Sequence, residues 1–458
     1  MKILFSFILF FIGYVGIAQK ERKGMPIPSK LQLQWHNMEF YLFVHFGPNT
    51  FTNKEWGLGT EPENVFNPSQ LDCRQWCKIA KAAGAKGIII TAKHHDGFCL
   101  WPSKYSTHTI RESKWKNGQG DVLKELSLAC KEYGLKFGIY ISPWDRNHPA
   151  YGTANYNDVF VGMLKELLQN YAPVWELWWD GANGELANGK KQTYDWNKFI
   201  ATVNTVSPNT LIFSDVGPDI RWVGNENGIA STTNWNLLDT VGFTPGIGAP
   251  LADTLFQGNK NGKNWIPAEC DVSIRPGWFY HANEDAQVKT ASQLFNLYLK
   301  SVGRGANLLL NVPPAGNGLI SPIDSLSLIE FNRLIQKNFS NNLLKHAMQV
   351  DKIRTSKSAD RKTELGSIFI LKQPTNLNCL VLREDIAKGQ LIENASIILS
   401  NQGVELKRID ITTIGHKRII TFPAMDVSEV SVVITSAKAK PHLGTVEGYL
   451  LAEDLIEK

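Results

Sequence analysis

Between about residues 30 and 340 two hydrophobic rhythms take turns along the chain. Short, continuous apolar runs bounded by Gly, Pro or polar residues read as buried strands. Longer stretches with apolar positions three and four apart read as helices. Residues 40–46 form the first run, stopped by Gly47 and Pro48, and residues 87–92 form the second. The clearest helix is 121–133, where Val122, Leu126, Ala129 and Tyr133 make one stripe, Asp121 can cap and Gly134 can terminate. Further strands are predicted at 136–142, 175–180, 210–214, 268–272 and 306–312. Further helices are predicted at 71–83, 158–171, 194–206, 285–302 and 323–339. A strand at 228–233, where the pattern is weakest, brings the count to eight. Strand–helix alternation of this kind builds parallel strands joined by crossover helices. The fold class it predicts is α/β, a (β/α)8 TIM-like barrel. A doubly wound sheet is disfavoured because no Gly-rich dinucleotide loop follows the first strand.

After about Lys345 the helical rhythm stops. Short β-rich runs follow at 367–371, 379–383, 395–400, 408–413, 417–422 and 430–435, separated by turn residues. They predict a C-terminal antiparallel β-sandwich. The start of the chain differs again. Lys2 precedes an apolar run from Ile3 to Val15, and Gly16-Ile17-Ala18 supplies a small-residue cleavage site. That is the pattern of a cleavable secretory signal, too short to span a bilayer comfortably. The predicted division is therefore 1–18 signal peptide, 19–345 barrel and 346–458 sandwich. The mature chain is expected to be secreted or periplasmic, with no membrane segment.

Composition changes this picture in four places. At 43% hydrophobic and 20% charged, the 458-residue chain is an ordinary globular protein, not a fibrous or disordered one. Its net charge of +5 comes with no basic run, so no nucleic-acid partner is inferred. The 14 Trp residues are an excess that suits sugar stacking in an exported protein, although many Trp fill cores. The six Cys show no paired zinc spacing and mostly have apolar neighbours, so buried free thiols are expected.

Candidate chemistry gathers at the predicted carboxyl ends of the strands, where barrel enzymes keep their active sites. Asp180 closes the run Val174 to Trp179 and is followed by Gly181. An acid beside Trp178 and Trp179 is costly to bury unless something uses it. Alone, it is equally well read as a helix cap or salt-bridge partner. It is not alone: His45 ends the first strand, His94 and His95 follow the second, and Tyr140 and Trp178 lie near the third and fourth. Trp222 and Glu226 follow the fifth, and Trp278 follows the seventh. Three His with nearby Asp could bind a metal, but adjacent His94 and His95 should point to opposite sides of an extended chain. No H-E-x-x-H or H-x-H motif is present, so no metal is expected and the imidazoles are read as partners of sugar hydroxyls. Glycoside hydrolysis needs a second carboxyl. Glu226, in a polar loop read as flexible, leads the candidates; Glu269, Asp215, Asp96 and Glu55 are the others.

Several motifs in order carry a resemblance. Phe43-Val44-His45-Phe46-Gly47, Glu55-Trp56-Gly57, Lys93-His94-His95-Asp96-Gly97-Phe98 and Glu176-Leu177-Trp178-Trp179-Asp180-Gly181 resemble the α-L-fucosidases of glycoside hydrolase family 29. The segments Arg221 to Gly228 and Glu269 to Trp278 resemble the branch that prefers α1,3/α1,4-linked fucose. The resemblance implies an exported, retaining exo-α-L-fucosidase without a cofactor, acting on a fucosylated oligosaccharide or glycoconjugate. Asp180 would be the nucleophile and Glu226 the acid/base. His45, His94 and His95 would bind sugar hydroxyls, and Trp56, Tyr140, Trp178 and Trp278 would shape the pocket. Leu58 departs from the polar residue expected in that branch, which bears on contacts to the leaving group. The alternatives are another retaining exo-glycosidase, such as an α-galactosidase, or a sugar-binding relative that has lost catalysis.

Overall fold

Eight parallel strands close on themselves in a barrel. They are β1 (Phe40–Val44), β2 (Gly87–Lys93), β3 (Lys136–Ile141), β4 (Glu176–Trp179), β5 (Leu211–Ser214), β6 (Ile220–Trp222), β7 (Ala268–Ser273) and β8 (Asn307–Asn311), neighbours in sequence and in space. The structure is a computed structural model that describes residues 24–184, 191–251, 253–355 and 363–456. The expected signal segment 1–18 lies outside the described residues. Seven of the strands are the apolar runs read from the sequence. Most are buried on both faces and so lack polar alternation.

The sixth strand is not where the pattern placed it. Residues 228–233 form no strand. Ile220–Trp222 fills the gap instead, with Phe213 opposite Ile220 and Arg221 opposite Ala268. Its central Arg221 hid it, because a charged residue rarely sits inside a barrel wall. Here the guanidinium is fully buried and donates to the carbonyls of Leu255 (2.9 Å) and Ile266 and to Asn234 Oδ1 (3.2 Å).

The helix caps follow local chemistry. Asp121 accepts from Lys124 N at 2.9 Å to start the helix Val122–Tyr133, and Gly134 ends it in the left-handed conformation at φ 65°. The helix predicted over 285–302 is the shorter Ala291–Lys300, opened by a Thr290–Gln293 capping box and preceded by a 3-10 turn.

The C-terminal region is antiparallel. Its strands are β9 (Met348–Thr355), β10 (Thr363–Glu384), β11 (Ile392–Asn401), β12 (Val404–Ile411), β13 (Arg418–Ala437) and β14 (Leu443–Tyr449). The order is β9-β10-β13-β11-β12, with β14 on β10. Two pairs of short predicted strands are thus single long ones. The polar stretches holding Pro374 and Pro423 look like turns, yet they lie within β10 and β13. Proline is tolerated where the ladder is broken, and the β10–β13 register shifts between Ile370 and Thr375. The halves of β10 pair with different neighbours, 363–370 with β9 and 379–384 with β14.

The two regions share a core. Cys379, Val381, Tyr449 and Leu451 join the same apolar cluster as Phe295, Tyr298 and Phe331 of the barrel helices. All six Cys are buried and free. Among the described residues no helix is long and apolar enough to cross a membrane.

Candidate active site

The floor of the barrel is aromatic. Trp35, Tyr41, Phe43, Tyr140, Trp178 and Phe213 pack as one cluster inside the strands. Above it, at the carboxyl ends of the strands, a cavity of about 420 Å3 opens to solvent. His45, Trp56, His94, His95 and Tyr140 line it, with Trp178, Asp180, Glu226 and Trp278. All nine residues to which the resemblance gives a role therefore face one space.

Asp180 follows the last residue of β4. Its Oδ2 accepts from the Tyr140 hydroxyl at 2.9 Å and lies 3.7 Å from His95 Nε2, and its Oδ1 accepts from Ala182 N at 2.8 Å. Burial and the adjacent Asp180 raise the Tyr140 phenol well above its usual range, so it keeps its proton and donates. Three neighbours thus fix the orientation of this carboxylate.

The three imidazoles are neutral, chiefly because burial disfavours their charged forms. His45 is lowered to about 3 and His95 to about 4, and His94 lies well below its ordinary value. Their tautomers follow from their partners. Asn311 Nδ2 donates to the carbonyl of Trp278 at 2.7 Å, so its Oδ1 is the atom 2.9 Å from His45 Nδ1. His45 therefore carries its proton on Nδ1 and leaves Nε2 to accept. Asn49 Nδ2 donates to the Glu55 carbonyl at 3.2 Å and faces His94 Nδ1 at 3.4 Å, so His94 keeps its proton on Nε2 and donates from there. The expectation that His94 and His95 point apart fails. The chain leaves β2 at Lys93 and turns at His95 and Asp96, so strand alternation does not apply, and the rings sit 4.1 Å apart. Among the described residues no group of three or more His, Cys, Asp or Glu is arranged to hold a metal ion.

Glu226 sits in the loop after β6. The loop is pinned rather than flexible: Asn225 Nδ2 donates to the Ile229 carbonyl (3.0 Å), and Asn225 Oδ1 accepts from Asn227 N (3.0 Å). Gly228, at φ +71°, packs so close to Val272 that a Cβ there would lie 2.7 Å from Val272 Cγ1. The Glu226 carboxyl accepts from Trp278 Nε1 at 3.2 Å. Burial raises its pKa, with Asp180 and Glu55 adding to the rise against the Trp278 bond.

The other candidate acids have other partners. Glu55 accepts from Trp278 N (2.8 Å) and Phe279 N (3.2 Å) and sits 2.6 Å from His281 Nε2, so it anchors the Trp278 loop. Asp96 is buried behind the cavity and accepts from Phe98 N at 2.7 Å. Glu269 lies under the floor, accepting from the Tyr41 hydroxyl and from Trp178 Nε1 at 2.8 Å. It is electrostatically coupled to the buried Glu176, whose Oε1 has no hydrogen-bond partner. Burial and Glu269 both raise Glu176 well above the carboxylate range. Asp215 does line the cavity, with its oxygens 3.0 and 3.1 Å from Gly246 N.

Two cavity features escaped the sequence reading. Asp271 accepts from Trp222 Nε1 at 2.8 Å and reaches the cavity from β7. The alternation Glu269-x-Asp271-x-Ser273, all inward, was its available signal. The loop Gly246-Ile247-Gly248 also borders the cavity and has no periodic signature.

The sequence model of the α-L-fucosidase family matches residues 27–339. α-L-Fucosidase 1 of Arabidopsis thaliana is 39% identical over 450 residues, spanning 93% of this chain and 88% of that protein. A crystal structure of a glycoside hydrolase 29 family member from an unknown rumen bacterium is 41% identical, with a TM-score of 0.85 over 94% of this chain and 78% of the other. A Ruminococcus gnavus fucosidase of the same family, in complex with fucose, is 28% identical with a TM-score of 0.84, covering 96% of this chain and 98% of the other.

Proposed function

Because the chain belongs to the α-L-fucosidase family, glycoside hydrolase family 29, we propose that it releases terminal α-linked L-fucose by double displacement with retention. One observation carries this reading. Asp180, held as an acceptor by Tyr140 and Ala182, and Glu226, pushed by burial toward its protonated form, open into the same pocket. Two carboxyls with diverging environments are the acid/base assignment such a reaction needs.

In the first step an Asp180 oxygen attacks the anomeric carbon. The bond from that carbon to the glycosidic oxygen breaks, and the Glu226 proton passes to that oxygen as the leaving group departs. A fucosyl ester of Asp180 remains. In the second step Glu226, now a carboxylate, takes a proton from water whose oxygen attacks the same carbon. The ester bond from that carbon to the Asp180 oxygen breaks as the water adds, fucose leaves, and both side chains return to their starting states. His45 accepts from and His94 donates to sugar hydroxyls, while Trp178 and Trp278 pack the apolar face of the ring. No cofactor enters either step.

The substrate proposed is a fucosylated oligosaccharide or glycoconjugate with an α1,3 or α1,4 linkage, supported by the likeness of the Arg221–Gly228 and Glu269–Trp278 segments to that branch. Export is proposed from the N-terminal pattern ending at Ala18. The relatives are fucosidases, which does not favour an α-galactosidase or a catalytically silent binder.

The test is covalent trapping with 2-fluoro-L-fucosyl fluoride, followed by peptide sequencing. A fucosyl adduct on Asp180 is expected. An adduct on another residue, or none while fucosides are turned over, would sink the assignment.

A further inference from the structure

The pocket is closed below by the aromatic floor, so whatever is attached to the sugar's anomeric oxygen must leave through the mouth. Of the cavity-lining residues, two large apolar side chains are largely in solvent: Trp56 at 57% and Ile247 at 81% exposed. Ile247 is the more unusual, because its position is fixed. It sits at the tip of a tight hairpin in which Thr244 and Gly248 form an antiparallel bridge and Ile247 N donates to the Thr244 carbonyl at 3.0 Å. Gly246 and Gly248, on either side, lie at φ +85° and +78°, a region that favours glycine. The Asp215 carboxylate pins the hairpin through Gly246 N at 3.0 Å. The backbone also rests against Gly181, the residue after Asp180: a Cβ on Gly246 would lie 2.6 Å from the Gly181 carbonyl oxygen. An exposed apolar residue is thus held rigidly beside the point where the glycosidic bond breaks.

We propose that Ile247 is a specificity residue for the leaving group, packing against the C–H face of the sugar that carried the fucose. The inference rests on the fucosidase reading and deepens it: the preferred substrate is an oligosaccharide whose second ring covers Ile247, not a fucoside with a small leaving group. On this reading the effect of Ile247 belongs to substrates that own a second ring. Asp215 serves here as a positioning residue, acting through the hairpin.

Three substrates separate the possibilities: α-L-fucosyl fluoride, which has no second ring, 4-nitrophenyl α-L-fucoside, and a Lewis-type fucosyl trisaccharide. Ile247→Asp should lower kcat/KM on the trisaccharide by about tenfold, the scale of a lost apolar contact of moderate area, and leave the fluoride rate unchanged. Ile247→Leu, which keeps the apolar surface, should retain most of the trisaccharide rate. The nitrophenyl fucoside, with one flat ring, should fall between. Equal losses on fluoride and trisaccharide, or no loss on either, would overturn the proposal while leaving the fucosidase reading intact. Failure of the unsubstituted protein to turn over the fluoride would overturn both.

Discussion

Trp278 connects the fate of one proton to the shape of the sugar pocket. Its indole N–H bonds the Glu226 carboxyl, which favours the charged form of that acid, while burial and the charges of Asp180 and Glu55 oppose it. The proposed first step requires Glu226 protonated. Activity should therefore fall as pH rises through its elevated pKa. Trp278→Phe removes the N–H and keeps an aromatic face, so the Glu226 pKa should rise further and the basic limb of the kcat/KM profile should move to higher pH. A limb that stays in place would show that another group supplies the proton. At this scale much was legible. Asp180 announced itself by ending an apolar strand, and His45, Trp178 and Trp278 by lying at strand ends. Asp271 was harder to see because inward alternation on β7 places a polar ladder where a barrel wall is usually apolar. No local rule could assign Glu269 a place under the floor, because its partners Tyr41 and Trp178 are 228 and 91 residues away.

Elements follow the hydrophobic rhythm where burial is apolar, and a single buried charge can hide one. Seven barrel strands and the main helices were predictable for that reason. β6 was not, since Arg221 finds its partners only in the folded chain. β10 and β13 were broken in two by prolines that sit at irregularities. A second buried charge ties β2 to the loop after β3. Lys93 Nζ lies 3.2 Å from Asp145 Oδ2, both side chains fully buried, and also donates to the Trp144 carbonyl at 3.1 Å. Burial works to raise the Asp145 pKa, but Lys93 and two backbone N–H bonds hold it below its usual value. Lys93→Met should leave that carboxylate uncompensated and cost about 3–5 kcal/mol of stability. Denaturant titration reads this directly. The double variant Lys93→Met/Asp145→Asn should recover part of the loss, and no recovery would mean that the pair is not coupled.

Across the whole molecule, histidine burial sets the response to acid. His45, His95 and His416 are lowered to about 3, 4 and 4, and His36 and His94 also lie well below the usual value, burial being the largest cause for each. The unfolded chain takes protons on these rings from about pH 6.5 downward, and the folded chain resists. Their contribution to stability is complete above that value and is lost as pH falls toward the folded-state values. Glu176 and Glu269 act in the opposite sense, since their raised values favour the folded state at lower pH. Removing one ring isolates the first effect. For His416→Gln, stability relative to the parent should improve as pH drops from 7 to 5, measured as the difference in thermal midpoints. A difference independent of pH would contradict the assignment. His36 and His416 lie between the barrel base and the C-terminal sheet, their rings 5.3 Å apart, so this acid sensitivity belongs to the seam between the regions as much as to the pocket.

The aromatic floor has a kinetic consequence. A chamber with one doorway admits a chain tip and returns the severed monosaccharide by the way it came in, so the trimmed polymer must let go before the next visit. Such an enzyme cannot travel along its substrate. A glycan bearing two identical caps should pass through a free, half-trimmed species that accumulates in solution and competes with untouched molecules for the next turnover.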